Sequence, residues 1–236
     1  MASVHAEWKV LPHGPIERLA ENLWRVRGEV PHMPIGRVMT LVRRADGGVV
    51  VHSAIALEEP LMGEIEAWGR PAFLVVPNRG HRLDAPAFAR RYPDARVLCP
   101  AGAREKVAGV VRVDGDFRDL PPDPDVALAH LDGLREQEGV VQVRSADGAT
   151  LVFNDAIFNL PAMAGLVGLI YRLTGSTGRP RVSRLGRLVF VRDRAGFRAH
   201  LERLAAVPDL RRIIVSHGDV ITDAPAATLR AIAAEL

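Results

Sequence analysis

Two stretches rich in strand signals, separated by the proline-rich loop at residues 120–125, constrain the fold of this chain more than any other sequence feature. Each stretch contains a hairpin turn between apolar runs, Ala-Asp-Gly-Gly at 45–48 and Ser-Ala-Asp-Gly-Ala at 145–149. The strands predicted around these turns lie at residues 22–27, 38–43, 49–52, 127–131, 139–144 and 150–153. A simple doubly wound sheet would not need a hairpin in both halves.

Helical spacing and short apolar runs fill the rest of the chain. Helices are predicted at residues 58–68, 85–92, 103–107, 162–173, 195–206 and 224–235. Further strands are predicted at 73–76, which is apolar enough to be buried on both faces, at 96–99 and, as a buried strand, at 212–216. Two β-rich halves with helices outside them predict a layered α/β fold, a four-layer αββα sandwich. The 236 residues are enough for one large domain of this kind.

Composition excludes several classes of protein. Hydrophobic residues make up 48% and charged residues 25% of the chain, which excludes a disordered, collagen-like or coiled-coil protein. The single cysteine, Cys99, excludes an internal disulfide and a cysteine-rich zinc site. The net charge is +3, and the arginines alternate with acids along the chain. This pattern favours a solvated surface and argues against a nucleic-acid partner.

The chain shows no pattern typical of export or of membrane insertion. Its N-terminus lacks a basic patch followed by an apolar core, so no secretory signal is predicted. The longest apolar stretch, residues 160–170, has about half the length of a bilayer span. We therefore expect a cytoplasmic protein without stable membrane insertion.

The helix predicted at residues 162–173 is apolar enough that other residues must bury it. Residues 162–173 are apolar on nearly every face, which predicts a helix buried by the chain or by a partner. One alternative is association with a membrane surface through residues 160–173 and the basic loop at 179–187. A helix that covers the pocket or packs in a homodimer is favoured, because apolar helices are usually buried.

Polar residues follow four of the predicted strands, at the positions where ligand-binding groups collect in α/β proteins. These strand ends are residues 51–54, 77–84, 153–156 and 216–219. Their histidines and aspartates are of the types that bind a divalent metal. Each also has a structural interpretation: His52 as a hydrogen-bonded histidine, Asp84 and Asp155 as helix N-caps, and His217 as a turn residue.

Four motifs in order give these strand ends a family resemblance. They are VVVHSAIAL at 49–57, VVPNRGHRLDAPAF at 75–88, RYPDARVLCP at 91–100 and LVFNDAIFNL at 151–160. Together they resemble the metallo-β-lactamase-fold superfamily over roughly residues 20–225. Within it they are most similar to a bacterial branch, a domain of unknown function, whose metal motif is degenerate. The resemblance implies one domain over residues 1–236.

The superfamily's main metal motif, His-x-His-x-Asp-His, falls on residues 79–84 and is only partly kept. His81 matches the second histidine of the motif. Arg79 stands in place of the first histidine, and Leu83 in place of the aspartate. Asp84 replaces the last histidine. The site implied here is therefore short of ligands for a first metal.

The remaining metal positions of the superfamily are also partly kept. Asp155 corresponds to the aspartate that bridges two metals, and His217, in a strand-His-Gly context, corresponds to the final histidine. The family's middle histidine is missing, and Glu136 or Glu138 occupies that zone. His52 replaces the aspartate that normally ends the early strand.

These losses imply a degenerate active site in which metal binding is impaired or absent. An arginine at position 79 could replace the charge of a metal, by pairing with Asp84 or Asp155 or by binding a small anionic ligand. The pocket residues on this hypothesis are His52, Asn78 and Arg79.

The alternative implied by the resemblance is a divergent mononuclear metal-dependent hydrolase. One divalent ion of zinc, iron or manganese would be held by His81, Asp84, Asp155 and His217. The candidate catalytic residues are then Asp84, Asp155 and Glu136. The substrate is left open on both hypotheses.

Overall fold

The computed structural model describes residues 4–236 and, within them, every side chain except that of Val167. Its first sheet has six strands in chain order: β1 (Glu17–Ala20), β2 (Leu23–Val30), β3 (Met33–Arg43), β4 (Gly48–His52), β5 (Arg70–Val75) and β6 (Arg96–Leu98). Its second sheet has four strands in the order β10-β9-β8-β7: β7 (Val126–His130), β8 (Gly139–Ser145), β9 (Gly148–Phe153) and β10 (Leu210–Val215).

Seven α-helices connect or flank these strands in the described part of the chain. They are α1 (Glu59–Trp68), α2 (Ala85–Arg91), α3 (Arg104–Ala108), α4 (Gly165–Leu173), α5 (Arg184–Val189), α6 (Arg194–Leu204) and α7 (Pro225–Ala234). The first three follow strands of the first sheet, and the last four follow β9 and β10 of the second. Helices α1, α2 and α3 pack on the first sheet, and α6 and α7 pack on the second.

Three hydrophobic clusters show how these elements are layered. One cluster lies between the two sheets and includes Val50 and Leu98 from the first sheet and Val152 and Ile214 from the second. A second cluster packs α1, α2 and α3 against the outer face of the first sheet. A third packs α6 and α7 against the outer face of the second sheet. The predicted four-layer αββα sandwich is confirmed.

The strand pairings bring the candidate strand ends to one edge. Strands β4, β5 and β6 are parallel, with His52 beside Val75 at the end of the register. Strands β9 and β10 are also parallel, and Phe153 lies beside Val215. Because parallel strands end at the same edge of a sheet, the polar residues that follow β4, β5, β9 and β10 face one cleft.

Two elements were not predicted. Strand β1 has only four residues and pairs at the edge of the first sheet through a register shift, so it lacks an alternating pattern. Helix α5 has six residues and is capped by the Ser183 side chain, which accepts a hydrogen bond from the Gly186 amide. It lies in the stretch after the predicted apolar helix, where the glycines and prolines indicate a loop.

Helix α4 departs further from expectation. It begins at Gly165, three residues later than predicted, and the chain does not cover its apolar positions. Leu166 is 74% exposed and Leu173 is 62% exposed. The prediction that the chain itself buries this helix is wrong, because no other element of the described chain packs over that face. That a second copy of the chain covers the apolar face of α4 stays a prediction. That residues 1–236 form a single domain also stays a prediction.

No helix in residues 4–236 combines the length and the apolar character needed to cross a bilayer.

Replacing Ile214 by alanine tests the inter-sheet packing. Ile214 is fully buried between the sheets, so removal of its side chain is expected to lower the free energy of unfolding by about 2–5 kcal/mol. Leu188→Ala is the matched control, because Leu188 is 70% exposed and its removal should cost less than about 0.5 kcal/mol. Chemical denaturation of both variants measures the difference. Equal losses would contradict the inter-sheet placement of Ile214.

Candidate metal centre

Three of the four predicted metal ligands meet in the cleft at the strand ends. His81 lies in the loop after β5, Asp155 two residues after β9, and His217 two residues after β10. The His81 Nε2 and Asp155 Oδ1 atoms are 3.2 Å apart, and the His217 Nε2 and Asp155 Oδ1 atoms are 3.1 Å apart. The two Nε2 atoms are 3.2 Å from each other. The three donor atoms form a nearly equilateral triangle, and we call these residues the donor triangle.

Each histidine of the donor triangle is fixed through its other ring nitrogen. The Nδ1–H group of His217 donates to the Gly36 carbonyl oxygen at 2.6 Å. The Nδ1 atom of His81 lies 2.9 Å from the Ser53 hydroxyl. Because a carbonyl only accepts, neutral His217 carries its lone pair on Nε2. Partners of this kind set the ring orientation of metal-binding histidines.

The geometry of the donor triangle fits a divalent cation. Nitrogen and oxygen ligands at about 2.0–2.2 Å from a four- or six-coordinate ion lie about 2.8–3.6 Å from one another. The three observed separations fall in this range. All three residues lie close enough to hold one ion through one atom each. Three ligands of this type leave a further position on the ion for a substrate or water.

Charge in the donor triangle favours a positive centre. Burial by itself would raise the pKa of Asp155, but His81 and His217 outweigh it and hold the pKa well below its usual value. Burial would lower the pKa of His217, but its hydrogen bond to Asp155, the charge of Asp155 and the Gly36 carbonyl outweigh burial and raise it. Either a proton or a metal ion supplies the positive charge that the carboxylate requires.

Glu138 lies beside the donor triangle, in the zone of the missing middle histidine. Its side chain is buried, accepts a hydrogen bond from the Ala156 amide at 2.7 Å and lies 3.4 Å from the Asn78 amide nitrogen. Burial, and next the charge of Asp155, raise its pKa from 4.5 to about 8. Asn78 also donates to Asp155 Oδ2 at 2.6 Å, so it links the two carboxyl groups.

A narrow cavity runs beside these groups. Its volume of about 10 Å³ is room for roughly one water molecule. Its polar wall consists of Asn78, Arg79, Gln137, Glu138 and Asp155, and its apolar wall is made chiefly of Leu134, Val182, Phe190, Val191 and Phe197. One water-sized space therefore adjoins both carboxyl groups.

The end of β4 supplies two further residues. His52 is buried, and its Nδ1 atom has no hydrogen-bond partner within residues 4–236. Burial, and next the charge of His81, lower the pKa of His52 to about 3. Ser53 has a φ of 58°, a left-handed conformation that costs energy for a residue with a side chain. This turn aims the Ser53 hydroxyl at His81.

Asp84 does not belong to the donor triangle. Its carboxylate is fully buried and accepts from Arg37 at 2.6 Å, from the Ala56 amide at 3.1 Å and lies 2.7 Å from His5 Nδ1. The structure therefore places Asp84 in a separate buried ion pair, which corrects its prediction as a ligand or catalytic group. Asp84 also occupies the N-cap position of α2 without a side-chain capping bond, so the N-cap interpretation holds for position only.

Two other predicted residues also lie apart from the donor triangle. The Arg79 guanidinium stacks 5.6 Å from the ring centre of Phe190 and forms no ion pair with Asp84 or Asp155, both of which the structure describes. The Glu136 side chain is 42% exposed and pairs with Arg118 at the surface. The structure therefore corrects the expected charge replacement by Arg79 and the expected catalytic role of Glu136. The binding of a small anionic ligand stays a prediction.

The sequence interpretation missed the groups that orient the donors. Phe158 stacks on His217, with ring centres 5.4 Å apart and planes at 9°. Gly36 contributes only a backbone carbonyl, which no side-chain pattern reveals. Ser53 was visible in the His-Ser pair that ends β4, and that position beside a candidate ligand was the one available signal.

Comparison with known proteins gives independent support for the fold. No protein-family model matches the chain, and no curated protein sequence does. A metallo-β-lactamase from Pontibacter korlensis superposes with a TM-score of 0.60 and 12% identity, over 95% of this chain and all 100% of that one. The chain has the metallo-β-lactamase fold.

Two further structures with this fold match at similar levels. The metallo-β-lactamase from Erythrobacter litoralis, with β-mercaptoethanol in its active site, has a TM-score of 0.60, 17% identity and coverage of 97% and 100% of the two chains. FIM-1 from Pseudomonas aeruginosa, in its mono-zinc form, has a TM-score of 0.61, 13% identity and coverage of 96% and 97%. At these identities the metallo-β-lactamase fold is established by similarity, while activity rests on the site.

Replacing Asp84 by asparagine separates its structural role from metal binding. The change leaves the Arg37 guanidinium buried without a counter-charge, so we expect the free energy of unfolding to fall by about 3–5 kcal/mol. Equilibrium denaturation measures this loss. Metal content per folded chain should stay at the wild-type value. Loss of bound metal from well-folded Asp84→Asn protein would contradict the placement of Asp84 outside the donor triangle.

Replacing Glu138 by glutamine tests its raised pKa. In metal-free protein, folded Glu138 keeps its proton up to about pH 8, while the unfolded chain loses it near pH 4.5. The folded state thus binds more protons in this window, and stability falls as the pH rises. Glu138→Gln should remove roughly 2–5 kcal/mol of that fall between pH 5 and pH 8. Denaturation at several pH values, with chelator present, measures it.

The matched control for this pH dependence is Glu136→Gln, because Glu136 is a glutamate two residues away whose side chain is half in contact with solvent and paired with Arg118. That variant should follow the wild-type pH profile. His217 contributes a dependence of the same sign, since its raised pKa adds stability below its ordinary value of 6.5 that is lost at higher pH. A wild-type profile in Glu138→Gln protein would contradict the burial of an uncharged carboxyl group.

Proposed function

We propose that this protein is a mononuclear metal-dependent hydrolase with one divalent cation held by His81, Asp155 and His217. The single observation that carries the proposal is the donor triangle, whose edges of 3.1–3.2 Å fit one ion. Zinc, iron and manganese all accept two imidazoles and a carboxylate. The similarity to a metallo-β-lactamase in a mono-zinc form supports a site with one ion.

When bound, the cation supplies Lewis-acid polarisation of an ester, amide or phosphoester oxygen. The chain's own residues prepare the site for this. Ser53 and Gly36 hold the histidine rings so that both Nε2 atoms face Asp155. Asn78 holds the second Asp155 oxygen, which leaves Oδ1 toward the histidines. The donors are therefore in place before any ligand arrives.

The surroundings of the donor triangle are partly apolar. Phe158 covers one face of His217, and the cavity beside Glu138 is walled by apolar residues of the second half of the chain. A site of low polarity strengthens the electrostatic interactions made within it. The arrangement suits the binding of a polar substrate group against an apolar wall.

A metal-independent binding module is the second candidate, and one observation favours it. Asp155 already lies within hydrogen-bond distance of both histidines, so a single proton shared in this network satisfies the carboxylate without a cation. Arg79 and Leu83 at motif positions normally held by histidine and aspartate are consistent with this candidate. On this second candidate, the pocket binds a ligand but catalyses no reaction.

Elemental analysis of protein purified without an affinity tag tests the proposal. We expect one equivalent of a divalent transition metal per chain, and a loss of at least about tenfold in metal content for each of His81→Ala, Asp155→Ala and His217→Ala. Glu136→Gln is the matched control and should keep the full equivalent. The same preparations are assayed with ester, amide and phosphoester substrates, with and without chelator.

The outcomes separate the two candidates. Stoichiometric metal together with chelator-sensitive hydrolysis supports the hydrolase. A metal-free wild type that gains no thermal stability on addition of zinc, iron or manganese would overturn metal binding and favour the binding module. Metal that persists in Asp155→Ala protein would place the ion outside the donor triangle.

A further inference from the structure

Helix α4 presents an apolar stripe to the solvent. Leu166, Leu169, Ile170 and Leu173 recur at spacings of three and four residues and so share one face of the helix. These side chains are exposed by 74%, 39%, 52% and 62%. Amphipathic helices of globular proteins turn such a stripe toward the core. Here the stripe is turned outward, so its cover must come from outside the described chain.

Helix α5 continues the same kind of surface. Leu185, Leu188 and Val189 are exposed at three-and-four spacing. The two helices meet where the Arg184 amide donates to the Thr174 carbonyl at 2.8 Å. We call the seven exposed side chains of α4 and α5 the apolar face. Single exposed leucines are ordinary, but seven on two adjoining short helices indicate a binding surface.

The charge around the apolar face has one sign. Residues 156–192 contain six arginines and no lysine, aspartate or glutamate. Removal of these six from the chain's 31 basic residues leaves 25 against 28 acidic ones, so the segment carries +6 and the remainder −3. The chain's positive net charge is thus concentrated in the segment that carries the exposed leucines.

Three of these arginines are free to meet an external anion. Arg172, Arg184 and Arg192 are exposed and form no ion pair among the residues that the structure describes. Arg179 and Arg181, in the loop between α4 and α5, both pair with Glu235, which partly neutralises their charge. The free cations therefore lie on and beside the two helices.

We propose that the apolar face and its arginines bind the surface of a bilayer that contains anionic phospholipid. Exposed leucines next to arginines on short helices suit the boundary between headgroups and acyl chains, where apolar side chains enter and basic ones meet phosphate. Helix α4 has only nine residues, so it lies in the interface and does not span it. The proposal is independent of the metal.

A second copy of the chain fits the apolar face less well than an anionic bilayer does. In a two-fold dimer the same surface meets itself, so the arginines of one copy would face the arginines of the other. No acidic residue of the segment 156–192 is available to compensate them. Like charges across an interface oppose association. An anionic bilayer supplies both the apolar cover and the counter-charge that a second copy lacks.

The surface adjoins the candidate metal centre at both ends of the segment. Phe158, near its start, stacks on His217, and Phe190, near its end, lies under the Arg79 guanidinium. Binding through the apolar face would therefore bring the cleft close to the headgroup layer.

Vesicle flotation with the full chain tests the proposal. We expect binding to vesicles of equal parts phosphatidylglycerol and phosphatidylcholine and none to phosphatidylcholine alone. Leu166→Ser and Leu188→Ser should each lower the partition coefficient about tenfold, since each removes a leucine side chain from the interface. Arg172→Gln combined with Arg184→Gln should also lower it about tenfold and flatten its salt dependence.

Matched controls lie outside α4 and α5. Arg43→Gln combined with Arg211→Gln removes two exposed arginines at the sheet edges opposite the candidate metal centre, and Val10→Ser removes an exposed apolar side chain from the segment before β1. These variants should bind vesicles like the wild type. All positions are exposed, so the melting temperatures should be unchanged and loss of binding cannot be ascribed to unfolding.

The other outcomes overturn the proposal. Absence of vesicle binding together with a concentration-dependent dimer that Leu166→Ser dissociates would make a second copy the occupant. Binding that requires the arginines but survives both leucine substitutions would be adsorption to any polyanion. Equal binding to both vesicle types would show that charge has no part in it.

Discussion

The parallel pairing of strands at two places, β4 with β5 and β9 with β10, is the constraint on which the candidate site depends. Each pair ends at the edge of its sheet, and the inter-sheet core fixes the two edges against each other. Residues as distant in sequence as His81 and His217 thus come within 3.2 Å. Without this packing the donors would lie on separate surfaces, and none of their chemistry would follow.

Two imidazole nitrogens and a carboxylate oxygen meet in one cleft, and together they favour a positive charge between them. The pKa directions of Asp155 and His217 both express it, since the carboxylate keeps its charge and the imidazole binds a proton more readily. A metal ion and a proton compete for the same space. Glu138 would repel the charge of Asp155 if it were ionised. Burial, and next that charge, raise the pKa of Glu138 and favour its uncharged form. In metal-free protein, the two shifts therefore favour a charged Asp155 beside an uncharged Glu138.

Much of the fold and part of the site could be predicted from sequence. Hairpin turns and apolar runs gave the layered sandwich, and the ordered motifs placed His81, Asp155 and His217 at strand ends. Asp84 could not be placed, because its partners Arg37 and His5 are distant in sequence and its direction depends on the turn before α2. The predicted ion pair of Arg79 was wrong for a related reason. The Arg79 guanidinium stacks on Phe190 at the end of helix α5, and that helix is too short to produce a periodic sequence pattern.

The hydrogen bond between His217 and the Gly36 carbonyl joins residues 181 positions apart. It also ties a strand of the first sheet to the residues that follow β10 in the second. His217 is made 136 residues after His81, and its ring is oriented only once β10 has paired with β9 and the two sheets have brought Gly36 within reach. A chain that is still being synthesised thus cannot present all three donors together. The complete donor triangle is a product of the docked sandwich, and neither half of the chain can form it alone.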